Sequence, residues 1–326
     1  MSQNRNNKGK KVMSDDNTTN INNSKPQKRL IIVTGDKGGV GKSTFARALF
    51  QLYINKNLPC VTYEADLRNP QLERYFKKDY RPIIRYIDIF HRGGADDLLI
   101  NLDESDCPIT LLDLPAQSGG FFESYVKELS FFEVLKTDIN CQVTMVSVIS
   151  RVLDSINVLE KLRELCKDQV DYIVVKNLFH GEEEKFERYN DASLRQNMLA
   201  EGLVELVMPD LFYKSYDFID RHALTFNEGQ THQGTNIVIK SRIKSWLAEF
   251  EAQIKPAFNL FGFDIQPDDC YYPTVVEKSK ELRENEEKDK AKNKDSNLQS
   301  QDIAELLKVL ELSGCIVTSP LVFISK

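Results

Sequence analysis

Glycine, lysine and hydroxyl residues crowd together in VTGDKGGVGKSTF, residues 33–45. Gly38, Gly39 and Gly41 are flanked by Lys37 and Lys42, with Ser43 and Thr44 directly after. These residue types, so spaced, bind phosphate. Glycines let the backbone curl until successive N–H groups face one point. A helix that starts there turns its positive end toward the same point. Lys42 can then reach the β- and γ-phosphates of a nucleotide, and the Ser43 hydroxyl can ligate Mg²⁺. Val40 and Thr44 complete the stretch expected to touch the nucleotide. One lysine is enough to hold a phosphate, so Lys37, on the far side of the glycines, needs a separate reason. A glycine-rich turn with incidental lysines is the plain alternative.

The elements around the loop have the order that such chemistry requires. LIIVT (30–34) reads as a buried strand and KSTFARALFQLY (42–53) as a helix, with the glycines between them. Further apolar runs follow at CVTYEA (60–65), ITLLDL (109–114), CQVTMVSVI (141–149), VDYIVVKN (170–177) and LVELVMP (203–209). Helical stretches alternate with them, which predicts βαβ units and a mostly parallel central sheet flanked by helices. Ile156, Leu159, Leu162 and Cys166 keep near-helical spacing. Ile239, Ile243, Trp246, Leu247, Phe250 and Ile254 mark one face of a long helix, near whose end, at Ile254 and Pro256, the domain is expected to close.

The usual phosphate-loop pattern, G-x-x-x-x-G-K-[ST], would place its first glycine at position 36, where Asp36 stands. The pattern that fits is K-G-G-x-G-K-[ST]. In this the chain resembles the deviant Walker A ATPases of the ParA/MinD group, whose landmarks match residues 30–254. The resemblance implies a P-loop NTPase fold, ATP and Mg²⁺ as ligands, and slow, partner-stimulated hydrolysis. It also explains Lys37: in that family the lysine ahead of the glycines reaches the nucleotide of the other subunit, which ties ATP to a homodimer. A solvent-exposed loop lysine is what the sequence alone would allow.

Other site residues follow from the same resemblance. Twenty-four residues separate Lys42 from Asp66, the distance of the family's D-x-D element, here Glu64-Ala65-Asp66. Asp66 aligns with the aspartate that orients the attacking water. Glu64 replaces the first aspartate and would serve water on Mg²⁺. Two acids capping the next helix are the alternative. In ITLLDLPAQSGG (109–120), Asp113 is carried to the carboxyl edge of the sheet, where α/β ligands bind, and would hold Mg²⁺ through water. Pro115, Gly119 and Gly120 would form a γ-phosphate-sensing switch. Asn177 matches the asparagine that reads the adenine edge, with a turn role as the alternative. Pro209 and Asp210 match the loop beside the adenine.

The bulk properties bound the partners. The chain has 326 residues and a net charge of −6, so no global basic field draws it to nucleic acid. Lys240, Arg242, Lys244 and Lys255 could form a local patch for nonspecific DNA, although a solvated helix face explains them equally well. Six cysteines show no C-x-x-C pair, which suits buried thiols in a reducing compartment and argues against an iron–sulfur carrier of the same fold. A metabolic synthetase of that superfamily rarely carries the extra lysine. The four histidines, His91, His180, His222 and His232, lack metal-ligand spacing and read as surface or loop residues. No stretch reaches about 18 apolar residues and no signal-type apolar core opens the chain. A cytoplasmic protein is expected, with a protein activator or cargo and no membrane anchor.

The ends are a different material. Residues 1–28 read as a polar, mildly basic, disordered arm, 29–256 as the ATPase domain, and 257–300 as a charged linker. Residues 301–326 read as a short helix followed by an extended segment. In that helix Ile303, Leu306, Leu307 and Leu310 share one face. Glu305, Lys308 and Glu311 make the other side non-basic, unlike a membrane-targeting helix. The resemblance favours a partition-type ATPase. A regulatory ATPase that binds a protein partner without DNA, in conjugation or another plasmid process, is the second expectation.

Overall fold

The computed structural model describes residues 27–35, 37–76 and 83–265. All but the last two residues of the expected arm, most of the charged linker, the expected C-terminal helix and Asp36 lie outside the described residues.

The chain builds β1 (Lys28–Thr34), α1 (Lys42–Asn55), β2 (Cys60–Glu64), α2 (Gln71–Phe76), β3 (Ile84–Tyr86), α3 (Asp96–Glu104), β4 (Ile109–Asp113), α4 (Gly119–Leu129) and α5 (Phe131–Val134). After it come β5 (Cys141–Ile149), α6 (Asp154–Cys166), β6 (Asp171–Asn177), α7 (Glu187–Asn190), α8 (Ser193–Ala200) and β7 (Val204–Met208). Then α9 (Tyr213–His222), α10 (Phe226–Thr231), α11 (Ile237–Ile254) and a 3₁₀ helix, Lys255–Phe261, follow. The described strands form one sheet in the order β3-β2-β4-β1-β5-β6-β7, with every pairing parallel. This is a parallel α/β sheet of the kind the sequence predicts, flanked by helices on both faces. β1 sits at its centre, between β4 and β5, so the loop after β1 opens where the connections diverge to either side.

Strand periodicity explains the layering. Side chains alternate across a strand, and β1 sends Ile31 and Val33 to one face and Leu30 and Ile32 to the other. The first face is covered by α1, α2, α10 and α11, through Phe45, Leu49, Leu72, Phe226 and Phe250. Phe226 stacks on Trp246 at 4.8 Å and Phe45 meets Phe250 edge-on at 5.4 Å. Such pairs each add roughly 0.5–1.5 kcal/mol beyond area burial. The second face is covered by α3, α4 and α5, through Leu98, Phe122 and Phe131.

All six expected runs are strands. β3 was not among them, because three residues interrupted by Arg85 carry no usable periodicity, and it pairs only with β2 at the sheet edge. Two expected boundaries shift. Lys28, assigned to the arm, begins β1: it is 3% exposed and its Nζ donates to Leu102 O at 2.6 Å. The domain does not close at Pro256. Proline is tolerated in the first turn of a helix, and the 3₁₀ helix brings Ala257 and Phe261 to full burial. The Tyr53 hydroxyl donates to Phe261 O at 2.7 Å and its ring stacks on Phe263 at 5.0 Å. The start of the expected charged linker therefore belongs to the packed layer as far as Ile265. Cys60, Cys107, Cys141 and Cys166 are buried, as small apolar side chains would be.

Candidate functional site

The loop from Gly35 to Gly41 is shaped by contacts that exclude side chains. A Cβ on Gly35 would lie 2.7 Å from Val148 O on β5. Gly41 caps α1 with φ 103°, and a Cβ there would lie 2.3 Å from Asn177 Nδ2. Both positions demand glycine, one for close approach and one for left-handed backbone as well. At Gly38 and Gly39 a Cβ would meet nothing within 4 Å. These two glycines therefore border open space.

The two lysines differ in setting. Lys42 is 7% exposed, and its Nζ donates to Lys37 O at 3.2 Å across the loop. The Lys37 side chain is 51% exposed and its Nζ lies 3.8 Å from Asp154 Oδ2 at the start of α6. A screened pair this exposed holds Lys37 only weakly, so the ammonium is available at the rim of the loop. Ser43 and Thr44 follow on the first turn of α1, and the Thr44 and Tyr216 hydroxyls are 3.4 Å apart.

Sheet register brings the acids together. Asp113 ends β4, paired with Val33 of β1 on one side and Glu64 of β2 on the other. Glu64 is fully buried, and its carboxylate is saturated by its own chain: Oε1 accepts from Asp66 N at 3.2 Å and Oε2 from Leu72 N at 2.8 Å. This is the helix-capping arrangement, made by Glu64 rather than by the pair. Asp66 is half-buried, and its Oδ1 accepts from Asn69 N at 3.1 Å. Asp113 is 1% exposed, and neither carboxylate oxygen completes a hydrogen bond among the described residues. Burial pushes the Asp113 pKa up to about 7; the Ser43 hydroxyl and then the Lys42 ammonium pull the other way. Ser43 is thus close to Asp113 without meeting hydrogen-bond geometry with it. Burial, then repulsion from Asp113, raises Glu64 to about 9.

On the other side of the loop the side chains are engaged. Asn177, at the end of β6, donates from Nδ2 to Val40 O at 2.8 Å and accepts at Oδ1 from Phe179 N at 3.1 Å. Pro209 is buried, with its carbonyl accepting from Trp246 Nε1 at 2.7 Å, whereas Asp210 is exposed. Lys240, Arg242 and Lys244 lie on α11, where Arg242 stacks over the Phe212 ring at 4.0 Å.

Sequence reasoning passed over two residues near the loop. His180 is not a plain surface residue: its Nε2 is buried and completes no hydrogen bond among the described residues, and burial lowers its pKa against the raising effect of the Val40 and Gly39 backbone. Nothing in the sequence distinguished it from the other histidines. Arg47 is 1% exposed on α1. A charge amid FARALF was a visible anomaly that periodicity alone absorbed into the helix.

No family model matches the chain. It is similar to Protein MobD of Acidithiobacillus ferrooxidans, with 26% identity over 184 residues, 56% of this chain and 78% of that protein. Among solved structures it is similar to the MinD cell division protein of Aquifex aeolicus, with 18% identity and a TM-score of 0.40, covering 67% of this chain and 96% of that one. It is also similar to a plasmid partition protein from Borrelia burgdorferi, with 19% identity and a TM-score of 0.36, covering 71% of this chain and 100% of that one.

Proposed function

We propose that the chain binds ATP with Mg²⁺ over the 37–44 loop and hydrolyses it to ADP and phosphate, in the manner of a ParA/MinD-type partition or positioning ATPase. The observation that carries this reading is Asp113. A buried carboxylate with both oxygens unpartnered is costly, on the order of 1–3 kcal/mol or more for a charged group, unless a ligand completes it. It lies beside Ser43 and Lys42, whose loop borders open space at Gly38 and Gly39. That donor set fits a magnesium nucleotide, since Mg²⁺ is commonly held by one or two carboxylates, a hydroxyl and phosphates rather than by a protein cage. When bound, the ion offsets charge on the β- and γ-phosphates.

The chain's own residues supply the rest. Loop N–H groups and Lys42 hold the phosphates. Ser43 and Asp113 hold the ion, directly and through water. Glu64, its oxygens engaged by Asp66 N and Leu72 N, shapes the Asp66 segment beside the ion and its water. Asp66 accepts a hydrogen bond from the attacking water and orients it. Asn177 keeps one amide hydrogen and one oxygen lone pair for the adenine edge, with Pro209 and Asp210 beside the ring. Lys37, exposed at the rim, reaches the nucleotide of a second copy, so that ATP drives homodimer formation and a partner protein accelerates turnover. The reading places the protein in the cytoplasm. Among the described residues no helix is long and apolar enough to cross a membrane.

Calorimetric titration with ATP, with and without Mg²⁺, and light scattering in ATP and ADP test this reading. Magnesium-dependent binding and an ATP-only dimer are expected; no nucleotide binding would remove it. For the output surface, ATP-dependent retention of nonspecific DNA through Lys240, Arg242 and Lys244 is expected. The second reading, a regulatory ATPase engaging a protein partner in conjugation or another plasmid process, is favoured by one observation. The first turns of α11 expose Ile237 and Val238, and Val238 lies one turn before Arg242, which stacks on Phe212, so the surface near the basic residues is apolar as well. Failure to retain DNA in any nucleotide state selects that reading.

A further inference from the structure

The guanidinium of Arg47 sits at a three-way junction beneath the loop. Its Cζ lies 3.3 Å from the centroid of the Tyr75 ring on α2, 5.3 Å from that of Phe226 on α10 and 6.0 Å from that of Tyr216 on α9. None of its three nitrogens completes a hydrogen bond among the described residues. The close aromatic face of Tyr75 is therefore what orients it. Cation–π attraction is strongest when the cation is desolvated, and Arg47 is 1% exposed. Tyr75 is held from its other end: its hydroxyl donates to Asp220 Oδ1 on α9. Arg74 Nη2 reaches the same residue, at 3.0 Å from its carbonyl and 3.2 Å from Oδ1.

Three of the four helices at this junction, α1, α2 and α9, carry or adjoin parts of the site. α1 begins with Lys42, Ser43 and Thr44. α2 begins at Gln71, directly downstream of Asp66, and Glu64 ties Asp66 N to Leu72 N of that helix. α9 follows the Pro209–Asp210 loop and returns to α1 through Tyr216 and Thr44. We propose that Arg47 is a positioning residue, on the reading that the site hydrolyses ATP: its charge clamps α2, and with it Asp66, against the helix that holds the phosphates. Arg47 acts through Tyr75 and touches neither nucleotide nor water. Burial disfavours its charged form, while Tyr75, Tyr216 and Asp220 favour it.

The charge rather than the bulk does this, which separates the clamp from packing. Arg47→Met keeps length and apolar volume and removes the cation. Turnover should fall about 10- to 100-fold, the cost of a small misplacement of a catalytic group, while ATP affinity stays within about threefold and melting temperature holds. In the same variant without nucleotide, amide exchange over residues 67–76 should rise about tenfold, with β1 and β5 unchanged, as in local rather than global opening. Arg47→Lys should restore part of both effects. Tyr75→Leu should reproduce them, and the double variant should be no worse than either single one. Should Arg47→Met not fold, Tyr75→Leu with the exchange readout decides alone. Wild-type turnover with unchanged 67–76 exchange in the variants would overturn the clamp and leave the ATPase reading standing. Turnover that falls only in step with ATP affinity would also overturn it. A wild-type protein that binds ATP without hydrolysing it would remove the hydrolysis reading, and the clamp with it.

Discussion

The two sides of the loop treat their polar groups in opposite ways. Toward β4 and β2, Asp113 is buried with neither oxygen completing a hydrogen bond among the described residues. Toward β6 and β7, the Asn177 amide and the Pro209 carbonyl are engaged by Val40, Phe179 and Trp246. A buried polar group that the chain satisfies is architecture; one that it leaves open is held for something else. Glu64 and Asp113 make the point at closest range. They are register partners on adjacent strands, both acidic and both buried, yet only Glu64 is satisfied from within. The open side is thus read as the phosphate and metal end, and the closed side as a wall against which the base rests.

The strongest break of this contrast is Lys42→Ala. Lys42 is the buried cation of the open side, and a charge-assisted contact to phosphate contributes about 1.5–3 kcal/mol or more in such a setting. Affinity for ATP should fall at least about 10- to 100-fold, measured by calorimetry. Near-normal affinity would mean that the phosphates lie elsewhere. Asp66→Ala tests the edge of the same side. Loss of water positioning should slow hydrolysis by about 100-fold or more while ATP is still bound and the dimer persists. Unchanged turnover would move that role to Glu64.

Asp113→Asn asks whether the open carboxylate is reserved for a cation. Burial, with repulsion from Asp66 at Asp113 and from Asp113 at Glu64, holds Asp113 near 7 and Glu64 near 9, both above their ordinary values of 3.8 and 4.5. The folded state therefore binds protons that the unfolded chain has released. The stability these two contribute is complete below their unfolded values and is lost as pH rises through their folded ones. Without nucleotide, the melting temperature should fall as pH is raised from about 6 to about 9, and less steeply in Asp113→Asn. ATP with Mg²⁺ should flatten the wild-type slope and not the variant's. A wild-type slope that magnesium nucleotide leaves unchanged would separate Asp113 from the ion. Lys37→Ala should cost less than these for one subunit: ATP affinity stays close to wild type, while the ATP-dependent dimer and its hydrolysis are lost. Light scattering that shows an intact dimer would end the cross-subunit role.

The open side was more legible in the sequence than the closed side, for a physical reason. Gly41, Lys42 and Asp113 are local requirements: a left-handed cap, a helix start and a strand end each leave a mark within a few residues. The use of Asn177 depends on Val40, 137 positions away in sequence, and only sheet order reveals it. Glu64 was assigned to metal water on the strength of its spacing, but its contacts with Asp66 N and Leu72 N depend on how the next helix turns back. β3 was too short to show periodicity. Arg47 was hidden because an arginine on a helix is ordinarily a solvated charge, and only packing against α2, α9 and α10 makes it a buried one.

The smallest effect is expected far from both sides. Sequence alone closed the domain at Pro256, yet the packed layer runs on through Phe261 and Phe263. Thr144 Oγ1 donates to Leu260 O at 2.6 Å and Tyr53 to Phe261 O at 2.7 Å, which fastens the 3₁₀ helix to β5 and α1. Deleting residues 277–326 spares every one of these contacts. The segment it removes first, 277–295, is dense in charge of both signs and has almost no apolar side chain to bury. The helix that the sequence predicts over 302–313 would be marginal alone and would contribute to folding only with its apolar stripe docked on the core. The truncated protein should therefore melt within a degree or two of the full chain, less than the roughly 2–4 °C that 1 kcal/mol shifts a domain of this size. It should also bind ATP equally well. Partner stimulation or cellular position is what should change. Insolubility, or a drop of many degrees, would show instead that the stripe of Ile303, Leu306, Leu307 and Leu310 covers part of the core.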